Sequence, residues 1–215
     1  MRVVIAGGHG QVALRLEQLL GGAGHRPVGL VRNPAHVPDL ERVGAEAVVL
    51  DLERASVDEL ATVVDGADAV VFAAGGGPGS GAARKQTVDL GAAVLLDDAA
   101  EQARVRRYLM VSSMGTDQVD PDSDDVFAVY LRAKAAADAD LRSRDLDWTI
   151  LKPGRLTDGD GTGLVTTDPE SRPREIPRDD VAAALLVAFE ERLAVGRELT
   201  LLTGDTPVRD ALAAP

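Results

Sequence analysis

Residues 3–13 read Val3-Val4-Ile5-Ala6-Gly7-Gly8-His9-Gly10-Gln11-Val12-Ala13, and the chain runs on through an amphipathic stretch to a second apolar run closing on Leu30-Val31-Arg32-Asn33. A short Val-rich strand feeding a glycine turn at a helix start aims free backbone N–H groups, and the positive end of the helix dipole, at one point. The order strand, turn, helix, strand is what a dinucleotide site needs, and a lone glycine pattern would not establish it. In this reading Gly7 allows the turn, Gly10 lets a pyrophosphate approach, and the small Ala13 lets the helix pack on the strand. The stretch Gly7, Gly8, His9, Gly10, Gln11 and Val12 is the candidate pyrophosphate cradle.

The end of the second strand selects among dinucleotides. An Asp or Glu there holds the ribose 2′-OH of NAD; this chain has Arg32, with Asn33 beside it. A guanidinium suits a 2′-phosphate, which a carboxylate would repel. The expected cofactor is therefore NADP, with NADPH preferred over NADH.

Composition narrows the function classes. The 215 residues are enough for one domain, residues 1–215, with a proper core. A net charge of −12 argues against a nucleic-acid surface and against an anionic membrane. With no cysteine there is no disulfide framework, thiol catalysis or cysteine-held metal, and no metal-type cluster surrounds any of the three histidines. The acid-rich stretch Asp117 to Asp125 reads as a solvated loop, because Pro121 and Ser123 break any fixed ligand geometry. A strand opening at residue 2 or 3 leaves no signal peptide ahead of the fold, and no apolar run approaches the ~20 residues of a membrane span. The cytoplasm is the expected compartment.

Apolar runs recur along the chain at Arg2–Ala6, Pro27–Val31, Ala47–Leu50, Ala69–Ala74, Tyr108–Val111, Trp148–Leu151 and Glu198–Leu202. They are short and non-alternating, as strands covered on both faces should be. Helical stretches lie between them: Gly10–Leu20, Pro34–Val43, Ser56–Val63, Ala82–Ala103, Phe127–Ser143 and Asp179–Leu193. Ser56-Val57-Asp58-Glu59 is a capping box. The alternation predicts an α/β fold, a doubly wound parallel sheet in three αβα layers. Two longer loops, Met114–Val126 and Gly154–Arg178, follow strands at the carboxyl edge and are expected to cover a substrate.

A second constellation lies in the helix after the fifth strand. Tyr130 and Lys134 are four residues apart, which puts phenol and ammonium on one face one turn apart. Val111-Ser112-Ser113 ends the preceding strand at the edge that carries the glycine turn. Hydroxyl, phenol and ammonium would then converge: the phenol gives a proton to a carbonyl oxygen as hydride reaches carbon, a serine holds that oxygen, and the lysine is expected to pull the phenol pKa toward neutrality.

With these pieces in hand the chain resembles the short-chain dehydrogenase/reductase superfamily, in particular its small, atypical NAD(P)H-binding members. The resemblance rests on Gly7 to Ala13, Leu30-Val31-Arg32, Asp51-Leu52, Ala73-Ala74-Gly75-Gly76, Val88-Asp89, Val111-Ser112-Ser113, Tyr130 with Lys134, Asp147 to Gly154, and Ile176 to Ala182. It implies a Rossmann-like fold and an oxidoreductase. It further implies that Asp51 and Leu52 flank the adenine, and that Ala73, Ala74 and Gly75 line the ribose and nicotinamide side. Lys134 would bond the nicotinamide ribose, Tyr130 act as acid/base, and Ser113 bind the carbonyl with Ser112 in reserve. Pro153 would run past the carboxamide.

The expected function is NADPH-dependent reduction of a small carbonyl compound. A cofactor-sensing binding protein and a flavin or quinone reductase are the competing readings. The expected partner is a small molecule, not nucleic acid or a membrane, and monomer and homodimer both stay open.

Overall fold

The computed structural model describes residues 1–77 and 79–214. Its strands are β1 (Arg2–Ala6), β2 (Arg26–Val31), β3 (Glu46–Val49), β4 (Ala69–Phe72), β5 (Arg107–Val111), β6 (Asp147–Pro153), β7 (Arg155–Thr157), β8 (Leu164–Thr166), β9 (Glu175–Pro177), β10 (Arg197–Thr203) and β11 (Thr206–Pro207). The helices are α1 (Gln11–Gly22), α2 (Val37–Arg42), α3 (Val57–Val64), α4 (Ala82–Arg84), α5 (Ala92–Gln102), α6 (Val126–Arg142), α7 (Arg178–Glu190) and α8 (Val208–Ala213), with a π-helical segment, Lys85–Gly91, joining α4 to α5.

The main sheet has the order β11-β8-β10-β6-β5-β4-β1-β2-β3. From β3 to β10 every pairing is parallel. The strand order reverses between β1 and β4, and ligands of doubly wound sheets bind at the carboxyl edge beside such a reversal. Helices cover both faces, so consecutive strand residues are all apolar yet serve different cores. Val3 and Ile5 join the core with Leu16, Leu20 and Leu185, while Val4 and Ala6 join the other with Phe72, Leu96 and Tyr108. This is why the strands read as unbroken apolar runs.

The expected parallel sheet is thus present, with two departures. The stretch Gly154–Arg178 is not a plain covering loop. It contains β7 and β9, which pair in parallel as a two-stranded sheet, and β8, which runs antiparallel to β10 and to β11. These strands are two or three residues long, too short for a sequence period to register. The expected single helix Ala82–Ala103 is interrupted by the π segment, whose altered hydrogen-bond register leaves no mark in hydrophobic spacing. The capping box of α3 is present in full, Ser56 and Glu59 each bonding the other's backbone N–H. Among the described residues no helix is long and apolar enough to cross a membrane.

Candidate functional site: a dinucleotide crevice with a Tyr-Lys pair

The glycine turn sits at the reversal point because of a close approach. Gly7 has φ +83°, and a Cβ there would lie 2.6 Å from Ala74 Cα, just past β4. Only glycine allows both the conformation and the contact. Gly8 serves a different contact: a Cβ on it would stand 2.7 Å from Gly29 Cα of β2. The Gly8 and Gly10 N–H groups already donate to the Leu30 and Gly7 carbonyls, at 2.9 and 2.8 Å. Gly10 is the N-cap of α1 and brings no side-chain cap. The unbonded amides of the first helical turn, including those of Gln11 and Val12, are therefore what the turn offers to an anion.

Two cavities meet at this turn. The first, about 190 Å³, is bounded by Gly7, His9, Arg32, Asp51, Glu53 and Arg84 among others; Leu52, Ala73, Ala74 and Gly75 also reach it. The second, about 920 Å³, begins at Gly10, Gln11 and Val12 and extends past Ala73, Ala74 and Gly75 to Tyr130 and Lys134. The small cavity carries Arg32, Asp51, Glu53 and Arg84 on its walls. The large one holds the chemistry-bearing side chains.

At the small end, Arg32 is half exposed and pairs with Glu53 at 2.9 Å. His9 stacks on His36 at 3.6 Å between centroids and bonds Asp39 at 2.9 Å. Asn33 turns back to cap the following helical turn, accepting from Ala35 N–H, and does not line either cavity.

At the large end, the Lys134 ammonium donates to the Val111 carbonyl at 3.0 Å and the Ala74 carbonyl at 3.5 Å, and lies 3.9 Å from Asp89 Oδ1. Burial pushes Lys134 down from its ordinary value, and Asp89 and Asp138 pull it back. Burial likewise raises the Tyr130 phenol, and the Ser113 hydroxyl is the neighbour that opposes the rise. This corrects the expectation that the lysine draws the phenol toward neutrality. Burial dominates, and the phenol stays protonated at neutral pH.

The two adjacent serines part company. Ser112 is buried and donates to Asp138 Oδ2 at 2.8 Å. Asp138 in turn faces Lys152, which pairs with Asp117 at 2.9 Å and with Glu198. Burial works against the Lys152 ammonium, yet Glu198 and Asp117 hold it above its ordinary value. The Ser113 hydroxyl donates to the Met114 carbonyl at 3.2 Å and neighbours the Tyr130 phenol, although Ser112 and not Ser113 borders the large cavity. Pro153 ends β6, where its carbonyl accepts from Met114 N–H at 2.9 Å, and does not line either cavity.

Several groups escaped the sequence reading. Asp89 is fully buried in the π segment; its Oδ2 accepts from Gly76 N–H at 3.0 Å while Oδ1 has no hydrogen-bond partner. Lys85 is buried: its ammonium donates to the Gly77 carbonyl at 3.1 Å and stands 5.2 Å from the centre of the Tyr130 ring. Glu17 is buried beneath the turn, close to Gly8 and Gly29, with both carboxyl oxygens unpaired, and burial raises its pKa to about 8. A lone acid on an apolar helix face was the available signal.

The model of the NAD(P)H-binding family matches residues 7–192. The chain belongs to the NAD(P)H-binding family. It is a small, atypical short-chain dehydrogenase/reductase-type Rossmann protein. It is 34% identical to the uncharacterized sugar epimerase YhfK of Bacillus subtilis over 99% of each chain. A solved structure from Bacillus halodurans, described as a candidate NAD-dependent epimerase/dehydratase, superposes with a TM-score of 0.90 at 38% identity, covering 99% of this chain and 98% of that one. The oxidoreductase ylbE of Lactococcus lactis superposes at 0.86 and 28% identity, covering 99% and 95%. The residues present fit a nicotinamide cofactor: an uncapped helix start facing both cavities, and a buried Arg84 Nε–H without an acceptor at the small end.

Proposed function

We propose that this oxidoreductase uses NADPH to reduce a small carbonyl compound. The observation that carries the reading is the meeting of Tyr130, half-buried and protonated, with the buried Lys134 in the cavity that begins at the glycine turn. When bound, the dihydronicotinamide supplies a hydride. Tyr130 is positioned to give its proton to the carbonyl oxygen, and Ser113, beside the phenol, to hold that oxygen. Lys134 has three N–H donors. Two point to the Val111 and Ala74 carbonyls, which leaves one for a ribose hydroxyl. Val111, Val126, Phe127 and Leu156 supply apolar walls that would receive the body of the substrate.

NADPH over NADH is supported by Arg32 just past β2, in the chain position where NAD sites carry an Asp or Glu. The same reading takes the cytoplasm as the compartment and a small molecule as the partner.

A second reading, hydride transfer to the ring of a flavin or quinone, is favoured by Phe127, which is 62% exposed on the cavity wall with its ring 5.8 Å from that of Tyr130. Planar substrates stack on such a surface. NADPH consumption against a panel of aldehydes, ketones, quinones and flavins tests both. Carbonyl reduction supports the first reading, turnover of flavins or quinones alone replaces it with the second, and no turnover on any member leaves a cofactor-sensing role.

A further inference from the structure

The small end holds a carboxylate that the reaction does not use. Glu53 Oε2 stands 2.9 Å from Arg32 Nη1 and 3.4 Å from Arg84 Nη2, and the Thr87 hydroxyl donates to Oε1 at 2.6 Å. Three separate elements thus deliver donors to one acid: the end of β2, α4 and the π segment. The Thr87 hydrogen bond comes first among the effects that hold the Glu53 carboxyl below its ordinary value; desolvation opposes it, and Arg84 and Arg32 add to it. Glu53 is therefore ionised at neutral pH. Asp51 and His36 line the same cavity, with Arg54 3.7 Å from Asp51.

Two guanidinium groups and a hydroxyl around one anion form the donor set of a phosphate monoester site. A ribose hydroxyl needs no such set. Here the acceptor's place is taken by the protein's own carboxylate, while the buried Arg84 Nε–H still lacks a partner.

We propose that Glu53 is a specificity-determining residue that occupies Arg32 and Arg84 as an internal stand-in for the 2′-phosphate, so that NADPH gains both cations only by displacing it. The inference rests on the NADPH reading above. Displacement breaks two ion pairs and leaves a carboxylate facing a phosphate, whereas NADH, without the phosphate, leaves the cluster intact. Glu53 thereby narrows the preference that Arg32 alone would create.

The test is calorimetry of wild type, Glu53→Gln and Thr87→Val with NADPH, NADH and adenosine 2′,5′-bisphosphate, a probe of this end alone. Glu53→Gln keeps the shape and the acceptor for Thr87 but removes the charge. It is expected to bind NADPH and the bisphosphate about tenfold tighter and NADH within about twofold of wild type, with the gain shrinking as salt rises. Thr87→Val, which loosens the carboxylate, should move the ratio the same way by less. An unchanged NADPH/NADH ratio in both variants overturns the proposal. So does weaker NADH binding with unchanged NADPH, which would make Glu53 a ribose ligand. A wild-type protein that binds neither nucleotide overturns the cofactor reading itself.

Discussion

The two ends of the crevice solve opposite problems. The small end, proposed to take the adenosine, is charged, with Arg32 half exposed and its ion pairs in contact with water. The large end, proposed to receive the substrate, opens to solvent past Phe127 but is more apolar, and Lys134, Lys85 and Asp89 are buried in its floor with Tyr130 half-buried above them. Water screens charge at the first end, so recognition relies on several donors acting on one anion. At the second end the low dielectric magnifies each polar contact and decides which groups carry protons. The lesson is that equal-looking polar residues at the two ends should differ widely in what their removal does.

The largest expected difference is at Tyr130. Tyr130→Phe should lower carbonyl turnover by about 10²–10⁴, the usual worth of a positioned acid, and leave NADPH affinity unchanged. Steady-state rates and binding measured on one preparation check this; unchanged carbonyl reduction would erase the contrast between the ends.

Glu17 lies under the turn that joins them. Its folded pKa of about 8 stands above the ordinary 4.5, so the stability of the protonated form is full below pH 4.5 and is lost as pH rises through about 8. Glu17→Gln should therefore be more stable than wild type at pH 8.5, by a few kcal/mol at most, and less dependent on pH. Some slope should remain, because burial also raises Asp97 to about 8. Thermal melts at pH 5 and 8.5 test the sign, and parallel curves for the two proteins would sink it.

The adjacent serines sharpen the comparison within the large end. Ser112→Ala strips a buried hydrogen bond from Asp138 and should cost about 1–3 kcal/mol of stability. Ser113→Ala should leave the melting temperature in place and reduce turnover about tenfold. The reverse pattern would exchange their roles.

The smallest effect is expected at the small end. Arg32→Ala should weaken NADPH binding about tenfold and leave NADH nearly unaltered, since a half-exposed pair is screened. Equal losses for both cofactors would remove Arg32 from 2′-phosphate recognition.

The parallel sheet, the turn at its reversal point and the Tyr130–Lys134 pair were legible because each is written in local spacing. Apolar runs at strand length, glycines at a strand-to-helix turn, and a four-residue step on one helix all follow from backbone geometry. What stayed hidden depends on residues far apart in the chain. Glu53 lies 21 residues from Arg32 and 34 from Thr87, and nothing in any of their neighbourhoods announces the cluster. The split between Ser112 and Ser113 follows from which one meets Asp138, 26 residues away from Ser112. The buried state of Glu17 follows from the room that Gly8 and Gly29 leave beneath the turn. The sequence alone determined the fold class and the kind of ligand, because secondary structure and phosphate-binding turns arise from short-range sterics and backbone hydrogen bonding. Only the tertiary structure decided which charges face one another and which protons are held, because electrostatics depends on through-space distance and on exclusion of water, and neither is encoded at any fixed spacing along the chain.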